Sequence, residues 1–194
     1  LRELREVCEK QAPGFARFLD LFASPQIKNV ATLVGNIANA SPIADTPPFL
    51  LLCDAELEIQ GTKGKRRLPL KDFYLEYRKT ALRKGEILEA VRFQIPAADE
   101  SWAVYKVSER KDLDISSVNG GVWLSWENGK GSKVKDARVA FGGVAATPLR
   151  LEKLEAWLRG RTPEPAMLEK AEALLQREIH PISDVRGSAA FRRI

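Results

Sequence analysis

The stretch KNVATLVGNIANASPIAD, residues 28–45, decides how the rest of the chain is interpreted. It contains a turn of small residues around Gly35 and Asn36, further short polar side chains, and a carboxylate at its end, Asp45. Asn, Ser, Gly and Ala bury little apolar surface, and they suit a site where backbone N–H groups and short donors approach a polar ligand closely. This composition therefore predicts a ligand-binding loop.

A second polar segment, KVSERKDLD at residues 106–114, is the other candidate for ligand contact. Each segment also has a purely structural interpretation. The charges of residues 106–114 are typical of a solvated turn. Asp45 precedes Pro47 and Pro48, which fit the first turn of a helix, so its carboxylate could simply cap that helix. The residues alone predict two polar loops on a mixed scaffold that could face a polar ligand.

Composition excludes several classes of function. The 194 residues are 44% hydrophobic and 29% charged, with no apolar run near the roughly 18 residues of a membrane helix, so we expect a soluble, cytoplasmic protein. The net charge of +5 is scattered, which argues against nucleic acid as a partner. Cys8 and Cys53 lack metal-type spacing, and the lone His180 precedes a proline. No nucleotide-binding, zinc-protease or hydrolase motif occurs, so we predict neither a catalytic residue nor a metal site.

Apolar periodicity predicts a mixture of helices and strands. Helical spacing occurs in residues 1–22, interrupted at Pro13 and Gly14, and in residues 149–158 and 166–178. Alternation predicts strands, and these cover residues 55–60, 66–70, 89–95, 102–108, 118–126 and 134–141. Pro96 and the polar residues after it mark a boundary between domains of residues 1–97 and 98–194.

Five segments of the chain resemble the flavoprotein part of the molybdenum hydroxylases. Residues 28–45 resemble the second flavin-binding segment of the family's FAD domain, R/K-N-x-A-T-x-G-G-N-I-x-x-x-S-P-I-x-D. YRKTALRKGEIL at residues 77–88 and YKVSERKDLDISSVNGG at residues 105–121 are similar to two further family segments. FGGVA at residues 141–145 and DVRGSAAFRR at residues 184–193 resemble parts of its C-terminal domain. The first two segments together resemble the xanthine dehydrogenase branch.

The resemblance implies a fold and a cofactor site. The fold would be α+β: a partial FAD-binding domain of the PCMH type, with a mixed sheet and helices, and then a three-stranded antiparallel sheet packed with helices. The loop of residues 31–39 would wrap the FAD phosphates and ribityl chain. Asp45 would accept from the pyrimidine edge of the flavin and Lys106 would lie by its carbonyl edge, so that Lys106→Met would leave folding intact. The other implied contacts are Ala31, Thr32, Gly35, Asn36, Asn39, Ile87 and Leu88 for FAD, and Arg110, Asp112 and Asp114 for NAD.

The resemblance also implies a function and partners. The chain would carry electrons from [2Fe–2S] clusters through FAD to NAD⁺ during purine hydroxylation, as part of a hetero-oligomer. An iron–sulfur domain and a molybdenum-binding subunit with molybdopterin would be its partners. Two alternatives stay open: the flavoprotein subunit of a related hydroxylase acting on carbon monoxide or an aldehyde, and a docking module without FAD.

Two departures from the family pattern matter for these alternatives. Val34 stands where the family has the first glycine of T-x-G-G-N, and a valine there would be strained only if that position needs a positive φ. The family's other FAD loop, of the glycine-rich A-G-G-T type, has no counterpart in the sequence. The chain is therefore similar to the second half of an FAD domain followed by the C-terminal flavoprotein domain.

Overall fold

The computed structural model describes residues 1–111 and 113–193. Five helices come first: α1 (Arg2–Gln11), α2 (Pro13–Asp20), α3 (Pro25–Val30), α4 (Leu33–Ala38) and α5 (Thr46–Leu52). The break that Pro13 and Gly14 predict falls between α1 and α2. Pro25 begins α3 at its first position, where the missing N–H leaves no bond unmade.

The first sheet has the strand order β2-β1-β5 and is antiparallel at both pairings. Its strands are β1 (Glu56–Gly61), β2 (Gly64–Pro69) and β5 (Ile87–Arg92), and the short pair β3 (Tyr74–Glu76) and β4 (Lys79–Thr80) lies between β2 and β5 in the chain. Leu57 and Ile59 alternate with half-buried residues along β1 and face the core. The sheet is thus antiparallel where the prediction had a mixed sheet.

The second sheet is antiparallel with four strands in the order β6-β7-β8-β9. They are β6 (Ser101–Val107), β7 (Val118–Trp126), β8 (Val134–Gly142) and β9 (Leu149–Arg150), followed by α6 (Glu152–Leu158) and α7 (Ala166–Glu178). The prediction had three strands, and it assigned Leu149 and Arg150 to a helix. They pair with Phe141 and Ala140 of β8 instead, and Leu151 N–H continues this contact by donating to Val139 O at 2.8 Å.

The largest departure from the sequence prediction is α4, which replaces the expected loop of residues 31–39. Thr32 caps the helix by accepting a hydrogen bond from Gly35 N–H at 2.9 Å, and Ile37 anchors it in the core. Val34 lies inside this helix, so the valine replaces the family glycine without a positive φ.

Helix α5 lies at the centre of the fold, because every one of its residues is buried. Phe49 stacks on Phe15 of α2 with ring centroids 3.7 Å apart, and its ring also contacts Phe93 and Trp102. Trp102 belongs to β6, so this aromatic cluster joins the two halves of the chain.

Two arginines of the second sheet hold the carboxyl end of α5. Arg138 of β8 donates to Leu52 O at 2.8 Å, and Arg150 of β9 donates to Leu51 O at 3.0 Å. The last carbonyl groups of a helix have no partners within it and attract cations. The second sheet therefore fixes the position of α5, and with it the position of Asp45, which immediately precedes the helix.

An ion pair between β2 and the turn before β5 predicts that the stability of the fold depends on pH. Arg66 forms two bonds to Glu86, at 2.9 and 2.7 Å, and Arg83 N–H donates to the same carboxylate. The Arg66 bonds first, and the Arg83 bond second, lower the pKa of Glu86 from 4.5 to about 2. A carboxyl group whose pKa is lower in the folded state stabilises the fold above its unfolded pKa and loses that contribution as the pH falls.

We therefore expect the contribution of Glu86 to be lost between about pH 4.5 and pH 2. Urea unfolding of the wild-type chain and of Glu86→Gln across this range measures it. The stability gap between the two proteins should narrow as the pH falls, whereas a constant gap would contradict the assignment. Glu76→Gln, at an exposed ion pair on the neighbouring hairpin, is the matched control.

Candidate functional site

Asp45 lies at the centre of a buried polar cluster formed by both halves of the chain. Lys106 Nζ of β6 donates to Asp45 Oδ2 at 3.0 Å and to Leu21 O at 3.1 Å. Ser116 Oγ and Asn119 Nδ2 donate to Asp45 Oδ1, the latter at 3.1 Å. Only 9% of the Asp45 side chain and 4% of the Lys106 side chain are exposed. A buried carboxylate is stable in such a place because a cation and hydrogen-bond donors compensate its charge.

The carboxylate of Asp45 does not cap helix α5, which the sequence left open. Asp45 does occupy the N-cap position of α5, but its side chain makes no capping hydrogen bond to that helix. Its carboxylate turns instead toward β6 and β7. The charge of Asp45 therefore serves the polar cluster.

The segment between α4 and α5 is fixed by contacts at both of its ends. Asn36 Oδ1 accepts from Thr46 Oγ1 at 2.7 Å and from Thr46 N–H at 3.3 Å, which leaves the Asn36 amide hydrogens for other acceptors. Gly143 N–H donates to Pro42 O at 2.7 Å. Gly143 has a φ of +84°, and a Cβ there would lie 2.5 Å from Ser117 O, so only glycine fits this close approach.

A cavity of about 450 Å³ lies beside this segment, between α3, α4 and the loop that joins β6 to β7. Its polar lining comes from Ser24, Asn36, Asn39, Ser41, Asp45, Arg110, Asp114 and Arg186. Its apolar lining comes from Phe22, Ile27, Ile43, Leu113 and Ile115. Ligand sites in proteins have this size and combine apolar walls with a few convergent polar groups.

Two charged side chains of the β6–β7 loop, Arg110 and Asp114, line the cavity and are hydrogen-bonded to each other. Asp114 accepts from Arg110 N–H and from Ile115 N–H, both at 2.9 Å, and from the Arg110 guanidinium at 3.4 Å. These bonds, the one from the Arg110 backbone first, lower the pKa of the Asp114 carboxyl. Asp114 is therefore a stable anion that holds Arg110 at the cavity.

The structure brings part of the predicted set together in this cavity and leaves the rest elsewhere. The residues that line it are Asn36, Asn39, Asp45, Arg110 and Asp114. Ala31 and Thr32 line a different cavity, of about 640 Å³, beside the first turn of α1. On β5, Ile87 is 63% exposed and Leu88 is buried in the core. Gly35 and Lys106 line neither cavity, and Asp112 lies outside the described residues.

Three residues of the site have no role in the prediction from sequence. Ser116 and Asn119 complete the bonds of Asp45, and Arg186 reaches the cavity from near the end of the chain. Ser116 and Asn119 lie within the quoted segment of residues 105–121, so that segment contained a signal for them. Arg186 lies within the quoted segment of residues 184–193, but that segment gives no sign that Arg186 reaches the cavity, because its approach depends on how the C-terminal segment folds back.

Comparison with known proteins gives matches along almost the entire chain. The family model described as the FAD binding domain in molybdopterin dehydrogenase matches residues 1–98. The model for the CO dehydrogenase flavoprotein C-terminal domain matches residues 103–194.

Individual relatives agree with these family matches. Xanthine dehydrogenase 1 of Arabidopsis thaliana is 37% identical over 93% of this chain, and nicotinate hydroxylase hnxS of Emericella nidulans is 35% identical over 95% of it. The chain spans only 13% and 14% of their lengths. The solved structure of reconstituted CO dehydrogenase from Oligotropha carboxidovorans superposes with a TM-score of 0.85 and 32% identity, over 94% of this chain and 62% of that one. This likeness confirms the α+β fold of the FAD-binding type.

Proposed function

The chain belongs to the family of FAD-binding flavoproteins of the molybdopterin dehydrogenases, and from that membership we propose that it binds FAD in the cavity beside Asp45. The membership confirms the family resemblance of the sequence motifs. The observation that carries the proposal is the cavity itself, in which the polar segment before α5 and the β6–β7 loop converge on one buried carboxylate. These two segments are far apart in the sequence, and they contain the motifs that resemble the family.

The residues of the cavity fit part of a flavin dinucleotide. Ile27, Ile43 and Ile115 offer apolar surface to a flat ring, and they lie beside amide and hydroxyl donors that suit its polar edge. Arg110 and Arg186 offer guanidinium groups, whose fork of N–H donors matches phosphate oxygens. When bound, FAD supplies the electron and hydride chemistry, and the protein supplies binding, orientation and electrostatics.

We assign each group of residues one task. Asn36 and Asn39 donate hydrogen bonds from their amides, and Asp45 accepts one from a polar ring edge. Lys106 works through Asp45: it holds the carboxylate in place from behind, since its own side chain is buried and does not line the cavity. Arg110 and Asp114 border the face at which an acceptor such as NAD⁺ would approach.

The whole enzyme would be a molybdenum hydroxylase in which this chain is the electron-transfer portion. We propose an iron–sulfur domain and a molybdenum-bearing subunit as its partners, because the relatives of full length are several times longer than the chain. The segments at residues 28–45 and 77–88 favour xanthine as the substrate and NAD⁺ as the acceptor. Among the described residues no helix is both long and apolar enough to cross a membrane.

FAD uptake by the purified chain tests the proposal. We expect a yellow protein with a flavin spectrum after incubation with FAD and desalting. Asn39→Asp places a negative charge in the lining of the cavity, and we expect it to weaken FAD binding about tenfold, since a like charge near a phosphate costs about 1–4 kcal/mol. Fluorescence titration of FAD measures the change.

Asn128→Asp, on the distant turn between β7 and β8, is the control, and it should bind FAD as the wild type does. A colourless wild-type protein after desalting would overturn the proposal and favour the docking module that binds no flavin. Equal binding by wild type and Asn39→Asp would show that FAD binds elsewhere on the chain.

A further inference from the structure

Arg186 lies on a tight turn that projects from the C-terminal segment toward the cavity. Asp184 N–H donates to Gly187 O at 3.1 Å, and Gly187 N–H donates to Asp184 O at 3.3 Å, which closes the turn around Val185 and Arg186. Val185 is 97% exposed, whereas Arg186 lines the cavity. The two neighbours on one turn thus differ in whether they face the site.

The backbone of Arg186 is fixed on both sides by side chains. Its N–H donates to Asp184 Oδ1 at 2.8 Å, and its carbonyl accepts from Ser117 Oγ at 3.2 Å. Ser117 follows Ser116, which donates to Asp45. The turn is therefore linked to the polar cluster of Asp45 through two consecutive residues, Ser117 and Ser116.

A buried arginine supports the turn from below. Only 1% of the Arg192 side chain is exposed, and its guanidinium donates to Asp184 Oδ1 and to Ile182 O, each at 2.6 Å. Burial alone would raise the pKa of Asp184, but the bonds from Arg192 and the Arg186 N–H outweigh burial and lower it. A charged Asp184 at physiological pH keeps the turn in place.

Among the described residues, the guanidinium of Arg186 contacts only one carboxylate, that of Asp114. Its contact with Asp114 is long, at 3.9 Å, and the Asp114 oxygens already accept three shorter bonds from Arg110 and Ile115. A guanidinium carries five N–H donors in a fixed fork. A rigid turn that holds such a fork at a cavity, with most donors unused by Asp114, is organised in advance for an anion.

We propose that Arg186 binds the diphosphate of a dinucleotide at the cavity, an inference that rests on the proposed function. The diphosphate belongs either to FAD itself or to a nicotinamide dinucleotide that accepts its electrons. Arg186 matches phosphate better than a lysine would, because its planar fork donates two parallel hydrogen bonds.

Binding titrations with three ligands test this inference. FAD and riboflavin, which lacks the diphosphate, are titrated into the flavin-free chain, and NAD⁺ is titrated into the FAD-loaded chain. We expect Arg186→Gln to weaken FAD or NAD⁺ binding about tenfold, the loss expected of a charge-assisted hydrogen bond, and to leave riboflavin binding unchanged. The dinucleotide that loses affinity identifies the source of the diphosphate.

Two matched variants accompany Arg186→Gln. Arg177→Gln removes an exposed arginine of α7 that does not line the cavity, and it should bind all three ligands as the wild type does. Arg186→Lys keeps the charge without the fork and should recover part of the affinity.

The outcomes separate this inference from the proposed function. If Arg186→Gln binds FAD and NAD⁺ as the wild type does, or loses riboflavin to the same extent as FAD, Arg186 has no diphosphate role and the inference is wrong while FAD binding stands. If the wild-type chain takes up no FAD at all, the proposed function fails and this inference falls with it.

Discussion

Replacing Lys106 by methionine is expected to lower the free energy of unfolding by about 3–5 kcal/mol, because it leaves Asp45 as a buried charge without its cation. The expectation from sequence is that this variant folds intact, whereas the burial of Lys106 beside Asp45 predicts a loss of stability. That expectation had Lys106 beside the ligand, whereas its Nζ is buried between Asp45 and Leu21 O. Urea denaturation of the two proteins at neutral pH measures the loss.

A double variant separates the charge effect from the loss of packing. Asp45→Asn removes the stranded charge, so Lys106→Met combined with Asp45→Asn should be more stable than Lys106→Met alone. Lys79→Met, which breaks an exposed ion pair with Glu76, is the control and should cost no more than about 1 kcal/mol. If Lys106→Met costs as little as Lys79→Met, the ion pair with Asp45 does not hold the site together.

Replacing Phe49 by alanine is expected to cost about 3–5 kcal/mol of unfolding free energy, the usual price of truncating a fully buried phenylalanine. Phe49 is 1% exposed and packs between Phe15 and Trp102, which belong to different halves of the chain. Because the two halves share this cluster, we expect the wild type and Phe49→Ala each to unfold in a single transition. Denaturation followed by tryptophan fluorescence and by far-UV circular dichroism measures both the loss and its cooperativity.

Phe191→Ala is the matched control, since this ring is about half exposed and its truncation should cost much less. The division into domains of residues 1–97 and 98–194 stays a prediction, and the same experiment bears on it. Two separate transitions, of which Phe49→Ala shifts only one, would show that the halves fold independently and that the shared cluster contributes little.

Elements with strong local patterns could be predicted with accurate bounds. Strand β7 and helix α7 have the bounds that periodicity predicts, because each carries its own alternation or helical spacing over nine or more residues. Helix α4 could not be predicted. It has only six residues, with Gly35 and Asn36 in its interior, and such residues are typical of turns. It forms because Thr32 caps it and the burial of Ile37 stabilises it.

The predicted site residues also differ in whether a local pattern could place them correctly. Asn36, Asn39 and Asp45 are close in sequence, so their motif alone indicates a shared ligand, and all three line one cavity. Ile87 comes from a motif just as specific, but it lies on β5, outside this cavity. A motif identifies which residues belong to a family pattern, and the path of the chain decides which of them meet.

By itself the sequence determined the family, since several motifs in a fixed order along the chain are specific to it, and it singled out Asp45 and the β6–β7 loop as candidate site residues. Only the tertiary structure decided that Lys106 lies behind Asp45 and that Arg186 reaches the cavity from the C-terminal turn. The physical reason is that these contacts join residues 61 or more positions apart. Packing of α5 against β7 and β8 of the second sheet creates them, and no local pattern encodes that arrangement.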